Sequence, residues 1–84
     1  MFSRAQFGER LRKAREQKGE TQTAVARAMG VTSTLLSDLE KGRRTTTIER
    51  FCFLCDYYHV SADYLLGLTD DPRPLEDRDT AAPG

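Results

Sequence analysis

The 84-residue sequence has no apolar run long enough to span a membrane and shows no secretory signal. We therefore expect a cytoplasmic protein that does not act at a membrane. The sequence also lacks a nucleophile–base pair, a glycine-rich phosphate loop and a convincing metal-ligand set. We expect neither an enzyme nor a cofactor. A chain of this length holds one domain, near the lower size for an unassisted core.

Cysteine and histidine are scarce, and the one candidate metal-ligand set that they form is weak. Cys52, Cys55 and His59 have the spacing C-x2-C-x3-H along one helix face, which in principle can hold zinc. No fourth ligand is obvious beyond Asp56 or Asp63, and a buried free cysteine usually packs as a small hydrophobe. A disulfide is also disfavoured, because one helix holds this pair in poor geometry. We predict no metal site.

The net charge of +0 conceals an uneven distribution. Residues 1–50 carry eleven Lys and Arg against six Asp and Glu, a net +5. Residues 51–84 carry two Arg against seven acids, a net −5. A basic body with an acidic end fits nucleic acid at one pole and another partner at the opposite pole.

The segment TQTAVARAMGVTSTLLSDLEKG, from Thr21 to Gly42, predicts two short helices joined by a tight turn. Thr21 is a good N-cap, and Gly30 ends the first helix where a left-handed residue is needed. The apolar residues that we expect to face the core from this helix are Ala24, Val25, Ala28 and Met29.

The second helix of the segment is capped by Thr32 and turns Leu36 and Leu39 inward. Small polar or charged residues are left on its outer face. A short helix supported by another, with such a free face, is the geometry of a helix-turn-helix that enters a DNA major groove. The outward residues are Ser33, Thr34, Ser37, Asp38 and Lys41.

Three more helices complete the predicted all-α, five-helix fold. The first begins at Ser3 and ends at Gly19; it turns Phe7, Leu11 and Ala14 inward. Helix four begins near Thr46, where Thr46 and Glu49 have capping-box spacing, and runs to Tyr58. Its expected inward residues are Ile48, Phe51, Leu54, Cys55 and Tyr58.

The fifth helix is short, capped by Ser61 and ended by Gly67. Residues 70–84 are acidic, contain proline and have few apolar side chains. Such a composition buries too little surface to offset the entropy of ordering. We therefore predict a DNA-binding domain over residues 1–69 and a disordered tail over residues 70–84.

The sequence resembles the lambda-repressor-like family of phage repressor and Cro type, also called the Xre family, from about Phe7 to Gly67. The order and spacing of many common residues together make the match specific. They are Leu11, Arg12, Arg15, Thr21-Gln22, Val25-Ala26, Gly30-Val31, Ser37, Leu39-Glu40, Gly42-Arg43, Val60-Ser61 and Leu65-Leu66-Gly67.

This resemblance implies a regulator of transcription, expected to be a repressor, that binds operator DNA. It implies an ion pair between Arg15 and Glu40 that fixes the recognition helix. It also implies two sets of DNA contacts. The residues expected at base edges are Thr32, Ser33, Thr34, Leu35 and Asp38. The residues expected at phosphates are Gln22, Ser37, Lys41, Arg43 and Arg44.

Several positions depart from the family pattern. Glu20 replaces a leucine that commonly anchors helix two, and Thr46 stands where proline is frequent. His59 stands where the family commonly has glycine, so we predict a left-handed His59 at the end of helix four. Positions 33 and 38 lack the usual long bidentate donors, so we expect modest discrimination per base and a larger share of shape readout.

A single helix-turn-helix reaches one half-site, so we expect a homodimer on a palindromic operator. Surplus apolar residues in the acidic half predict the twofold contact. Two alternatives remain: an antitoxin-like regulator that depends on a second protein at the acidic C-terminal half, and an interaction module that has lost specific DNA readout. The predicted dimer residues are Phe53, Tyr57, Leu66 and Leu68.

Overall fold

The computed structural model describes residues 1–74 and confirms the all-α, five-helix prediction; those residues contain no strand. None of the helices in this range is long and apolar enough to cross a membrane. The third helix packs against the first and the second, and the fourth and fifth helices pack against the first and against each other. The helices are α1 Arg4–Lys18, α2 Gln22–Met29, α3 Ser33–Glu40, α4 Ile48–Tyr58 and α5 Ala62–Leu66.

Each helix begins after a hydroxyl residue whose side chain accepts a hydrogen bond from the backbone N–H three residues on. The caps of α1, α2, α3 and α5 are the predicted Ser3, Thr21, Thr32 and Ser61. The prediction for α4 was wrong by one residue, because Thr47 is the cap and its hydroxyl accepts from Arg50 N–H at 3.2 Å.

Burial explains the shift of the α4 cap. The Thr46 hydroxyl is turned into the protein, where no hydrogen-bond partner lies within reach. The exposed Thr47 hydroxyl therefore caps the helix, and the predicted capping box between Thr46 and Glu49 is not formed.

Helix α4 ends at a left-handed residue, as predicted. His59 has φ 54° and ψ 53°, and among the described residues it alone combines a side chain with positive φ. The next amide, Val60 N–H, donates to Cys55 C=O at 3.0 Å. This bond satisfies a carbonyl that the end of the helix would otherwise leave unpaired.

The core is formed by side chains from all five helices, but two predicted inner faces need correction. On α2, Ala24 and Ala28 are exposed and Ala26 is buried beside Val25, because an eight-residue helix turns only one narrow face inward. On α4, Ile48 is 73% exposed because it lies in the first turn, beyond the edge of the core. The core residues are Phe7, Leu11, Val25, Ala26, Leu36, Leu39, Leu54 and Leu65.

Helix α1 approaches α3 closely at Gly8, a glycine within the helix for which the sequence predicted no role. A Cβ added to Gly8 would collide with the backbone carbonyl oxygens of Leu39 and Glu40. The absence of a side chain thus sets the distance between α1 and the last turn of α3.

The segment that follows α5 returns along the helical body. Arg10 Nη1 donates to Tyr64 C=O and to Thr69 C=O, and the second of these bonds is 2.7 Å long. Arg10 Nη2 forms an ion pair with Asp70 Oδ1 at 2.7 Å. Ser61 N–H donates to Pro72 C=O at 2.9 Å. These contacts involve the first residues of the predicted tail. Its remainder, residues 75–84, lies outside the described residues, and the domain boundary at residue 69 stays a prediction.

Candidate nucleic-acid interface

Helix α3 has one fixed face and one open face. Leu36 and Leu39 are completely buried, whereas Thr34 is exposed on the opposite side. Asp38 follows Thr34 by one turn, and its side chain is 27% exposed. The outward face is therefore held in one orientation by the inward leucines.

The five residues predicted at base edges lie on or beside this open face. Ser33 and Thr34 are exposed in the first turn, and Leu35 is half-buried at its edge. The Thr32 hydroxyl accepts from Leu35 N–H at 3.1 Å as the N-cap. The cap uses one lone pair of this oxygen, so the O–H and the methyl group of Thr32 are not engaged by it.

The far end of α3 is fixed by a buried carboxylate. Arg15 Nε donates to Glu40 Oε2 at 2.8 Å, and Arg15 Nη2 donates to Glu40 Oε1 at 3.1 Å, so the pair is bidentate. The Glu40 side chain is 2% exposed. The hydrogen bond to Glu40 is the chief cause that raises the pKa of Arg15. The third Arg15 nitrogen donates to Glu20 C=O at 2.9 Å, which ties α1 to the entrance of α2.

Gln22, predicted to contact a phosphate, joins the same network. Its amide Nε2 donates to Glu40 Oε1 at 2.9 Å. An amide nitrogen carries two hydrogens, so the other N–H stays available to a phosphate. Glu40 thereby orients the first residue of α2 while it anchors the last turn of α3.

A second ion pair links the two predicted contact sets. Arg43 Nη1 lies 3.7 Å from Asp38 Oδ1, and the Arg43 side chain is 67% exposed. Arg43 N–H donates to Asp38 C=O at 2.9 Å after Gly42 reverses the chain at φ 75°. The loop basic residues, exposed Lys41, Arg43 and Arg44, thus continue directly from the open face of α3, and half-buried Ser37 adjoins them.

The four predicted dimer residues do not share one surface. Leu66 lines an apolar groove of about 230 Å³ with Phe2, Ile48 and Phe51. Tyr57 is nine residues after Ile48, which places it on the opposite side of α4. We call the groove that Leu66 lines the Ile48 groove. Leu68 is exposed and follows Leu66 by two residues in the chain.

The aromatic pair on the other side of α4 is engaged within the protein. Phe53 and Tyr57 stack with ring centroids 5.3 Å apart, and Lys18 Nζ lies 4.9 Å from the Tyr57 ring centroid. The Tyr57 hydroxyl donates to the Glu20 carboxylate, and this bond is the main cause that raises the pKa of Tyr57. Glu20, a departure from the family pattern, and Tyr57, a predicted dimer residue, are therefore partners.

The cysteines occupy different environments. Cys52 is exposed and Cys55 is half-buried, and desolvation raises the pKa of Cys55 to about 11. Within residues 1–74, no three His, Cys, Asp or Glu side chains are placed to share a metal ion.

Comparison with known proteins gives consistent matches. Residues 6–68 match the helix-turn-helix domain family. The chain is 33% identical over 72 residues to the uncharacterized HTH-type transcriptional regulator YobD of Bacillus subtilis, covering 86% of this chain and 64% of YobD. It thus spans less than two thirds of that relative, and only 14% of another curated relative.

Two solved structures are similar in fold. The P22 c2 repressor, solved in complex with a synthetic operator, has a TM-score of 0.70 at 28% identity, covering 75% of this chain and 96% of the repressor. The restriction-modification controller protein C.AhdI of Aeromonas hydrophila has a TM-score of 0.66 at 26% identity, covering 74% and 90% respectively.

Proposed function

We propose that this chain, which belongs to the helix-turn-helix domain family of lambda-repressor type, is a transcriptional regulator that represses by binding operator DNA as a homodimer. The observation that carries the proposal is the fixed, open face of α3. Buried leucines and the Arg15–Glu40 pair hold one side of this helix, and polar residues cover the other. The similar P22 c2 repressor was solved on an operator, which supports this use of the fold.

In the proposed complex α3 lies in the major groove, which is wide enough for one helix. Its first turn brings Ser33 and Thr34 to the bases, and Asp38 follows one turn later. Leu35 and the methyl group of Thr32 contact thymine methyl groups at the edges.

The phosphate contacts come from both ends of the helix-turn-helix. Gln22 supplies its second amide hydrogen and its backbone N–H in the first turn of α2, where the helix dipole favours an anion. Lys41, Arg43 and Arg44 supply positive charge after α3, with the Ser37 hydroxyl beside them. Counterion release by these groups makes affinity depend steeply on salt.

The proposed twofold contact uses the Ile48 groove with Leu66 and Leu68, rather than the whole predicted set. Ile48 is 73% and Leu68 70% exposed, so a second copy would remove substantial apolar surface from water. Phe53 and Tyr57 are assigned to packing within the chain, since Tyr57 is already bound to Glu20.

A salt series tests the DNA contact directly. Fluorescence anisotropy with a labelled duplex measures affinity for the wild type, for Arg43→Ala with Arg44→Ala, and for Arg12→Ala with Lys13→Ala as a control of equal charge on α1. We expect the first variant to bind all sequences more weakly and to flatten the log–log salt slope by about two per protomer. Equal slopes for the two variants would reject the phosphate role of the loop.

Sedimentation velocity tests the dimer contact. Ile48→Ser changes an exposed side chain, so the fold should persist while self-association and cooperative binding to a palindromic duplex decrease. Phe53→Ser with Tyr57→Ser is the comparison on the opposite side of α4, and it should leave both properties unchanged. Loss of association in this double variant, with Ile48→Ser unaffected, would place the contact on the aromatic pair.

A further inference from the structure

We infer that Asp38 selects cytosine at one position of each operator half-site and rejects guanine and thymine there. The inference rests on the proposed function, and it assigns a specific base to one residue of the open face of α3. Its basis is the chemistry of the open face of α3, the fixed orientation of that helix and the neighbouring charge of Arg43.

The open face contains no long hydrogen-bond donor. Residues 32–40 include no Arg, Lys, Gln or Asn, which removes the usual bidentate readers of guanine and adenine. Ser33 and Thr34 have hydroxyls, which donate or accept and so tolerate several bases. Glu40 is buried in its ion pair, so Asp38 is the one carboxylate of α3 that faces outward.

An ionised carboxylate accepts hydrogen bonds and donates none, and the four bases differ in the donors and acceptors that they present to it. In the major groove cytosine offers the N4 amino group, whereas guanine offers O6 and N7 and thymine offers O4, all acceptors that repel it. Adenine offers N6, but its N7 acceptor lies beside that donor. Asp38 therefore favours cytosine, and much of its selectivity comes from exclusion of the wrong base.

The structure holds Asp38 where this selection is possible. Leu36 and Leu39 are completely buried, and Arg15 fixes Glu40, so α3 cannot rotate to withdraw the carboxylate. The Asp38 side chain is also partly covered, which limits its range of positions.

Arg43 makes a carboxylate tolerable near DNA. It lies 3.7 Å from Asp38 and remains largely exposed, so it can face a phosphate while it offsets the negative charge. As a surface ion pair alone, these two residues would contribute little to stability. A purely structural pair would leave base preference unchanged when Asp38 is replaced, which gives the inference a clear test.

The experiment is selection from a random duplex pool with four forms of the full chain: wild type, Asp38→Asn, Asp38→Ala and Asp56→Asn. The last removes the same charge from an exposed position on α4. We expect cytosine at one position of each half-site for the wild type and for Asp56→Asn. Asp38→Ala should accept any base there, and Asp38→Asn should shift towards adenine, which asparagine reads through N6 and N7.

Affinity measurements then test the atoms involved. On the selected duplex, a cytosine-to-guanine change should weaken the wild type by roughly three- to tenfold, less than the loss of a bidentate pair, and should weaken Asp38→Ala hardly at all. An analogue of that cytosine without the N4 amino group should also weaken the wild type but not Asp38→Ala.

Failure of the proposed function and failure of the inference about Asp38 give different results. If the wild type selects no sequence from the pool, and its affinity for DNA does not depend on salt, the proposed function fails and the inference fails with it. If the wild type selects an operator but Asp38→Asn selects the same bases at every position, the inference alone is overturned.

Discussion

The helix-turn-helix half, α1 to α3, and the α4–α5 half are held by different kinds of contact. In the first half the buried Glu40 joins Arg15 and Gln22, and so fixes the ends of three helices at one point. In the second half, the exposed end of the fold is tied down by bonds from Arg10 of α1 to the end of α5 and to the segment that follows it. The first arrangement fixes one open face, and the second leaves an apolar groove at the surface.

We expect the two surfaces to have separate tasks, one in the proposed DNA contact and one in the proposed twofold contact. The first half presents the fixed face of α3, and the Ile48 groove lies where α4 and α5 meet Phe2 and Phe7 at the start of the chain. Precise DNA contact needs fixed geometry, whereas a weak twofold contact needs mainly exposed apolar surface. Substitutions that act on one half at a time can break or sharpen this division.

The largest effect should come from Glu40. Glu40→Ala removes the carboxylate that pairs with Arg15 and leaves the mostly buried Arg15 guanidinium without it. The free energy of unfolding, measured by urea denaturation, should therefore fall by about 3–5 kcal/mol. Glu16→Ala, on the exposed face of α1, is the control and should change it by less than about 0.5 kcal/mol. Equal losses in the two variants would remove the basis for a uniquely fixed α3.

The second-largest effect should come from Arg10, and it should lower the stability of the α4–α5 half. Arg10→Met removes charged hydrogen bonds to two backbone carbonyls, which should cost about 1.5–3 kcal/mol. Hydrogen exchange should show faster opening of α5 than of α3. Arg12→Met is the matched control, because Arg12 forms surface pairs with Glu9 and Glu16. If α3 opens as much as α5, the two halves are not separately stabilised.

A smaller effect is expected at Gly8. Alanine would improve the helix propensity of α1 by about 1 kcal/mol, but its Cβ would collide with the last turn of α3. Overpacking costs ~1–3 kcal/mol, so Gly8→Ala should be destabilising by about 1 kcal/mol overall and should weaken DNA binding. Lys13→Ala, on the outer face of α1, tests propensity alone. A Gly8→Ala variant more stable than the wild type would contradict the close approach.

The two halves also differ in how well sequence predicts them. The caps Thr21 and Thr32 and the buried Leu36 and Leu39 follow from spacing within a few residues, and all were predicted. In α4, Thr46 was the predicted cap, but its hydroxyl is buried and the neighbouring Thr47 caps the helix instead. Spacing in the sequence does not contain that information, because it depends on how α4 meets the rest of the core.

Long-range polar contacts were the other limit. Glu20 departed from the family pattern and Tyr57 was a predicted dimer residue, but nothing in the neighbouring sequence indicated that they bind each other. Arg10 likewise reaches Thr69 and Asp70 at the far end of the chain. The exposed face of α3 was predictable from its period, whereas its DNA contacts remain predictions.

The central claim, that α3 and its flanks form the DNA face, is tested most directly by amide chemical shifts. The full chain is titrated with a selected duplex that carries one half-site, so that one copy binds. We predict the largest shifts at Gln22, residues 32–38 and residues 41–44, with Phe53 and Tyr57 unchanged. The largest shifts on α4 or α5, with α3 unaffected, would contradict the account.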